Sequence, residues 1–425
     1  MDENVIPATF KGPVVGYGEW GIVDTWRRKK PEFWGTKKAY SPTKIYTKQL
    51  TEYEVGKALI IPVHNRFDHT DFSELRITWK YENQSGEINN THLEPHRKGE
   101  LTIPENEWKK GGKVNICFYQ NDTMLVDEYN IQVGKEEVEL PVCKNGNLSI
   151  EESEAYIEIS GKDFVLDINK KTGLLEDVLV NDEMVIKSGP YIHYKLPGTS
   201  VQYSTILMQD YAENWDCTGF NFEMTGGIAT IISEGKYGSI DASFTIQIDE
   251  NGVFRIDYVV ENAPEGKFIQ EAGLKFITGE HFETLAWHRN PYFTAYPETH
   301  LGKSTGELNL HHKPVMKYRE KPGHDWEMDT RGFYYFGLEK ELPFTNIARS
   351  LKENIYSYSL KTKNNSKVEV FSNGGQASRF DKIGDDLTLI VNDQWDYFSL
   401  LWGNYMKLIP SEKEFDGSVV MVLSN

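Results

Sequence analysis

The chain has 425 residues, enough for two or three domains that each bury a core. Hydrophobic residues make up 39% and charged ones 26%, which excludes an intrinsically disordered chain. The net charge of -18 sets the surface against nucleic acid and anionic membrane as partners.

Aromatic residues reach 13%, with 10 Trp and 23 Tyr. Such side chains stack on the apolar faces of sugar rings, but they also fill the cores of large β-sandwiches, and composition alone favours the core. Cys117, Cys143 and Cys217 are odd in number and lack metal-ligand spacing, so neither a disulfide framework nor a metal is expected. No cofactor is implied. The first residues hold no charged-then-apolar secretory pattern, and no apolar run approaches the ~20 residues of a membrane span. Localisation is left open by this.

Residues 1–45 differ in pattern from the rest of the chain. Arg27, Arg28, Lys29 and Lys30 precede Pro31, which is suited to a first helical turn because its missing N–H has no partner there anyway. A short helix is predicted from Pro31 to Tyr40, stopped by Ser41-Pro42, since the residue before proline resists helical geometry. It has an apolar face and no obvious partner. Residues 46–135 carry short strands: the run Ala58 to Val63, the period-two alternation Leu75 to Tyr81, and Val114 to Tyr119 after Gly111-Gly112. Strands at this spacing predict an immunoglobulin-like β-sandwich. A linker near Gly134 to Asn147 leads to a larger region, 148–425, with alternation at 156–160, 164–168, 243–248 and 254–260. Almost no helical periodicity occurs there, so two broad antiparallel sheets are predicted. Asn373-Gly374-Gly375 reads as a hairpin turn and not a phosphate loop.

Tyr17 to Asp24, then Trp26 to Trp34 with its Lys30-Pro31 pair, resembles the close of the catalytic barrel in family 2 glycoside hydrolases. Residues 156–197, through Thr172-Gly173-Leu174 to Gly189-Pro190, resemble the opening strands of the C-terminal domain of large β-galactosidases. Trp287-His288-Arg289, Tyr296 to Lys303 and Asn404 to Lys407 are similar to segments of the same domain. The resemblance implies an all-β chain: a barrel remnant (1–45), an immunoglobulin-like sandwich (46–135) and a large galactose-mutarotase-like sandwich (148–425). It implies a parent enzyme, plausibly periplasmic or secreted, that hydrolyses O-glycosidic bonds. Its catalytic glutamates lie on barrel strands upstream of this chain, so no catalytic residue is assigned here. The partners implied are the parent's N-terminal sugar-binding and barrel domains and a galactoside or plant glycan.

The stretch 287–300 is the leading carbohydrate site, because Trp287, His288, Arg289, Tyr292, Phe293, Tyr296, Glu298 and His300 set stacking faces beside hydrogen-bonding groups. The alternative is an ordinary loop packed on the sandwich, and the two readings stand near parity. Trp402 and Asn404 are weaker rim candidates, whereas Trp395 reads as core. His311-His312 with His324 and Asp325 lack metal-site spacing. The expected role is that of a non-catalytic, carbohydrate-binding scaffold. The alternatives are a free-standing carbohydrate-binding protein and, behind it, a mutarotase-like epimerase, for which His193, His281, His288 and His300 are available.

Overall fold

The computed structural model describes residues 22–23, 27–310, 350–396, 407 and 409–425, apart from short gaps at 90, 122, 203–204, 299 and 384–385. Strands account for 58% and helix for 4%, so the chain is all-β as predicted. Two compact units are present. The first takes in the chain up to Glu137 together with Pro291–Ser304, and the second holds Val138–Asn290 and most of the chain from Thr305 onward.

The first unit opens with helix α1 (Pro31–Ala39) and continues through β1 (Thr43–Lys44), β2 (Gln49–Leu50), β3 (Leu59–Asn65), β4 (Arg76–Tyr81), β5 (Gln84–Glu87), β6 (Lys98–Ile103), β7 (Lys113–Gln120) and β8 (Met124–Val133). Strands β1–β3–β6 make one sheet and β2–β8–β7–β4–β5 the other. Period-two patterning decides the inward set: Ile61, Val63, Leu101 and Ile103 belong to the same core as Ile77, Trp79, Ile116, Phe118 and Ile131. Helix α1 begins at Pro31 as predicted, with Glu32 in its first turn and Lys37 and Lys38 in its last, both signs matched to the helix dipole. It does have a partner, contrary to the sequence reading. Buried Lys38 pairs with Asp127 of β8, and Asp127 Oδ2 also accepts a 2.8 Å hydrogen bond from the Tyr129 hydroxyl. This buried lysine is the helix's anchor.

The second unit runs through β9 (Ser149–Glu152), β10 (Tyr156–Ser160), β11 (Phe164–Asn169), β12 (Leu174–Val180), β13 (Glu183–Gln202), β14 (Thr205–Asp210), β15 (Trp215–Thr225), β16 (Ile228–Tyr237) and β17 (Ile240–Ile248). It continues through β18 (Val253–Glu261), β19 (Glu271–Thr278), β20 (Phe282–Arg289), β21 (Thr305–Asn309), β22 (Lys352–Thr362), β23 (Lys367–Ile383), β24 (Asp386–Trp395) and β25 (Phe415–Ser424). These strands form one curled, continuously paired network around a single large core that includes Phe244, Phe254, Phe276 and Phe380. The Asn373-Gly374-Gly375 turn is a correction: it lies inside the 17-residue strand β23. Phe371 faces Ser357 and Gln376 faces Ile355, so the residues between 371 and 376 form a bulge, with Gly374 at φ +92°. Before the bulge β23 pairs with β25, and after it with β24. The glycines let one strand change neighbours.

Candidate functional site

The structure divides the stretch 287–300 between the two units. Trp287 and Arg289 lie on β20 and are buried, the Trp287 ring lying 4.3 Å under the Lys352 ammonium. His288 points to the other face of β20, its ring 5.0 Å from that of Tyr356. Past Asn290 the chain belongs to the first unit. There the Pro291 carbonyl accepts from Lys48 at 2.7 Å, and Thr294 Oγ1 accepts from the backbone N–H of Asn130 at 3.1 Å. Tyr296 stacks on His300 at 4.5 Å with the rings 6° from parallel. His300 Nδ1 accepts from the Gly302 N–H at 2.8 Å, and Nε2–H donates to the Pro31 carbonyl at 3.1 Å. Both ring nitrogens of His300 are thereby engaged. Glu298 is exposed and pairs with Lys303 at 3.1 Å, and Tyr292 is exposed. Tyr296 and His300 therefore meet within the first unit, and Trp287 to Arg289 belong to the second. Trp402 and Asn404 lie outside the described residues, as do His311, His312, His324 and Asp325.

A second cluster, on the second unit, is denser in chemistry. Strands β14–β13–β19–β24–β23 are paired side by side. Their register places Asp210 opposite Lys195, Lys195 opposite Glu271, His193 opposite Gly273, and Gly273 opposite Asn392. Lys275 and Arg379 both face Ile390, and Asp381 lies two residues beyond Arg379. One face of five strands thus collects the charges. The alternate residues Ile192, Tyr194, Leu274, Phe276 and Val391 enter the apolar core. Gly273 is required at the centre, because a Cβ there would stand 2.1 Å from the Val391 carbonyl oxygen.

Glu271 is the hub. It accepts from Arg379 Nε at 2.7 Å and Nη2 at 2.9 Å, a bidentate pair, and from His193 Nε2–H at 2.8 Å. Asn392 Nδ2 adds a fourth donor at 3.3 Å. Glu271, His193, Arg379 and Asn392 are all buried. Burial would push the Glu271 carboxyl up, but the Arg379 guanidinium and His193 prevail and hold it well below the usual carboxylate range. Around this floor stand half-buried groups. Asp210 Oδ2 takes 2.8 Å from Lys275 Nζ and lies 3.5 Å from His193 Nδ1, too far for a good hydrogen bond. Despite its own burial, Asp210 is held below its ordinary range by His193 and Lys275. Asp381, 3.2 Å from Arg379 Nη1, is pushed up by burial, which the guanidinium only partly offsets.

An ionised carboxylate saturated by a guanidinium and an imidazole is a weak base but a fixed negative charge. The cluster can therefore orient and hydrogen-bond a polar ligand at its rim more readily than it can take a proton. Of its members the sequence singles out His193 alone. The missed signal is Glu271-Ala272-Gly273-Leu274-Lys275, where charge, glycine and charge recur at period two beside apolar residues.

No protein-family model and no curated protein matches the chain. Solved structures do show similarity. An α-mannosidase from Enterococcus faecalis V583 aligns with 88% of this chain and 42% of its own, at TM-score 0.38 and 9% identity. A putative aldose 1-epimerase from Escherichia coli K12 aligns with 65% of this chain and 99% of its own, at TM-score 0.31 and 9% identity. For a galactose 1-epimerase from Lactobacillus acidophilus NCFM the shares are 65% and 98%, at TM-score 0.31 and 11% identity. The likeness is partial and one of fold.

Proposed function

We propose that this chain is the non-catalytic C-terminal region of a family 2 glycoside hydrolase, β-galactosidase-like, which scaffolds the parent's barrel and contributes to carbohydrate binding. One observation carries this reading. Two of the segments on which the resemblance rests, the Lys30-Pro31 helix start and the loop from Tyr296 to Lys303, meet in one unit through His300 Nε2–H and the Pro31 carbonyl, 3.1 Å apart. A loop fastened at both ring nitrogens of one histidine is a structural tie. It leaves Tyr292 exposed as a stacking face for a sugar ring. Purified chain is expected to release no nitrophenol from nitrophenyl β-galactosides and to bind lactose in calorimetry. Turnover that survives clean purification overturns the non-catalytic role, and absence of heat at millimolar sugar removes the binding role.

A mutarotase-like epimerase is the second reading, favoured by the His193–Glu271 pair at 2.8 Å. It needs a general base, and the bidentate Arg379 contact makes Glu271 a poor one. Polarimetry of freshly dissolved galactose decides between them, since acceleration abolished by Glu271→Gln would put the epimerase first.

A further inference from the structure

The outward face of β21–β20–β22–β23 forms a trough of about 540 Å³, within the ~300–1,000 Å³ of small-molecule sites. Its position is set by register. Glu307, Ala286, Ser359 and Glu369 make one row across the four strands, and Asn309, Thr284, Lys361 and Lys367 the next. The floor is low where the two central strands carry Thr284, Ala286 and Ser359, and long charged side chains rise from the outer strands at Glu307, Lys367 and Glu369 and from β22 at Lys361. Lys367 pairs with Glu369 at 2.6 Å. One row further along the same face, His288 stands opposite Ser357 and Ser357 opposite Phe371, which brings two rings to one end.

We infer that this trough binds a neutral, hydroxyl-rich ligand, a short oligosaccharide. The side-chain charges of its lining cancel, two lysines against two glutamates, and Asn365 and Asn425 add neutral amides, so no unopposed lining side-chain charge selects an anion or a cation. What remains is a dense alternation of acceptors (Glu307, Glu369), donors (Lys361, Lys367) and the two-way hydroxyl of Ser359, the pattern that matches hydroxyls, which donate and accept at once. Paired strands fix where these side chains start, and the Lys367–Glu369 pair at 2.6 Å already orders two of them. The site differs from the loop at Tyr292 and does not depend on the parent's being a galactosidase.

Calorimetry on the intact chain tests it, with lactose and xylotetraose as neutral probes and galacturonate and glucosamine as charged ones. Neutral sugar is expected to bind. Ala286→Trp, which fills the floor from a half-exposed position, and Lys361→Met are each expected to weaken binding about tenfold or more. Tyr292→Ala is expected to leave this component unchanged. Thermal melts confirm that each variant is folded, and the exposed Glu307→Gln provides a second reading that leaves the core intact. Equal affinity in wild type and Ala286→Trp, tighter binding of either charged probe, or no heat with any neutral sugar overturns the inference. If binding is lost in Tyr292→Ala and kept in Ala286→Trp, the trough is excluded and the loop reading stands.

Discussion

Glu271 is 3% exposed and takes both of its short guanidinium bonds from a single residue, Arg379, itself 4% exposed. Removing Arg379 leaves the Glu271 carboxylate buried with His193 and Asn392 to hold it, its strongest counter-charge gone. Arg379→Leu is therefore expected to cost about 3–5 kcal/mol in urea unfolding, whereas Glu271→Leu with Arg379→Leu recovers much of it. A double variant no more stable than Arg379→Leu would remove the pair's special standing. The same residues set the acid limit. Glu271 and Asp210 both titrate below their ordinary range. Their stabilisation is thus complete above the unfolded carboxylate value of about 4 and is lost as pH falls through the lower folded values. Melting temperature is expected to fall below about pH 4, and less steeply in Glu271→Gln than in wild type.

At the scale of elements, the polar face depends on how closely its strands approach. Gly273 lies where β19 and β24 slip register between Ala272 and Gly273, and a Cβ would meet the Val391 carbonyl oxygen at 2.1 Å and Asn392 Cα at 2.7 Å. Both are backbone atoms, so neither yields easily. Gly273→Ala is expected to destabilise by about 1–3 kcal/mol, as overpacking does, and to shift the His193 imidazole resonances through the displaced hub. Unchanged unfolding would mean that the two strands separate without cost. Strand β23 has the same dependence on glycine, its bulge at Asn373 to Gly375 marking the change of partner from β25 to β24. In the first unit the corresponding device is a side chain, Lys38, buried against Asp127.

At the scale of the whole molecule, each unit has its own core cluster, and the net charge of -18 falls almost entirely on the residues after Glu137, where 43 acidic residues stand against 27 basic ones. A polyanion is repelled by that part of the chain. The chain is expected to pass through heparin resin at about 0.15 M salt without retention, since phosphate-like or sulfate-like ligands need a clustered cationic face. Retention would reveal such a face and would redirect the search for a ligand from neutral glycans to anionic ones.

The sequence by itself determined the all-β class and the inward faces of many strands. Alternation at 243–248 and 254–260 became β17 and β18 with alternating burial, and Lys30-Pro31 marked the start of α1. These are local properties, set by a side-chain period of two or by the geometry of one ring. Trp395, read as core, is indeed buried. Only the tertiary structure decided what meets what. Glu271 and Arg379 are 108 residues apart and share a face because bulges in β13, β19 and β23 set the register of five strands. His300 and Pro31, 269 residues apart, meet because the chain leaves one unit at Pro291 to contribute to the other. Register and chain excursion have no period along the sequence, so the contacts they create were not legible there, although residue types alone had singled out His193 and the stretch 287–300.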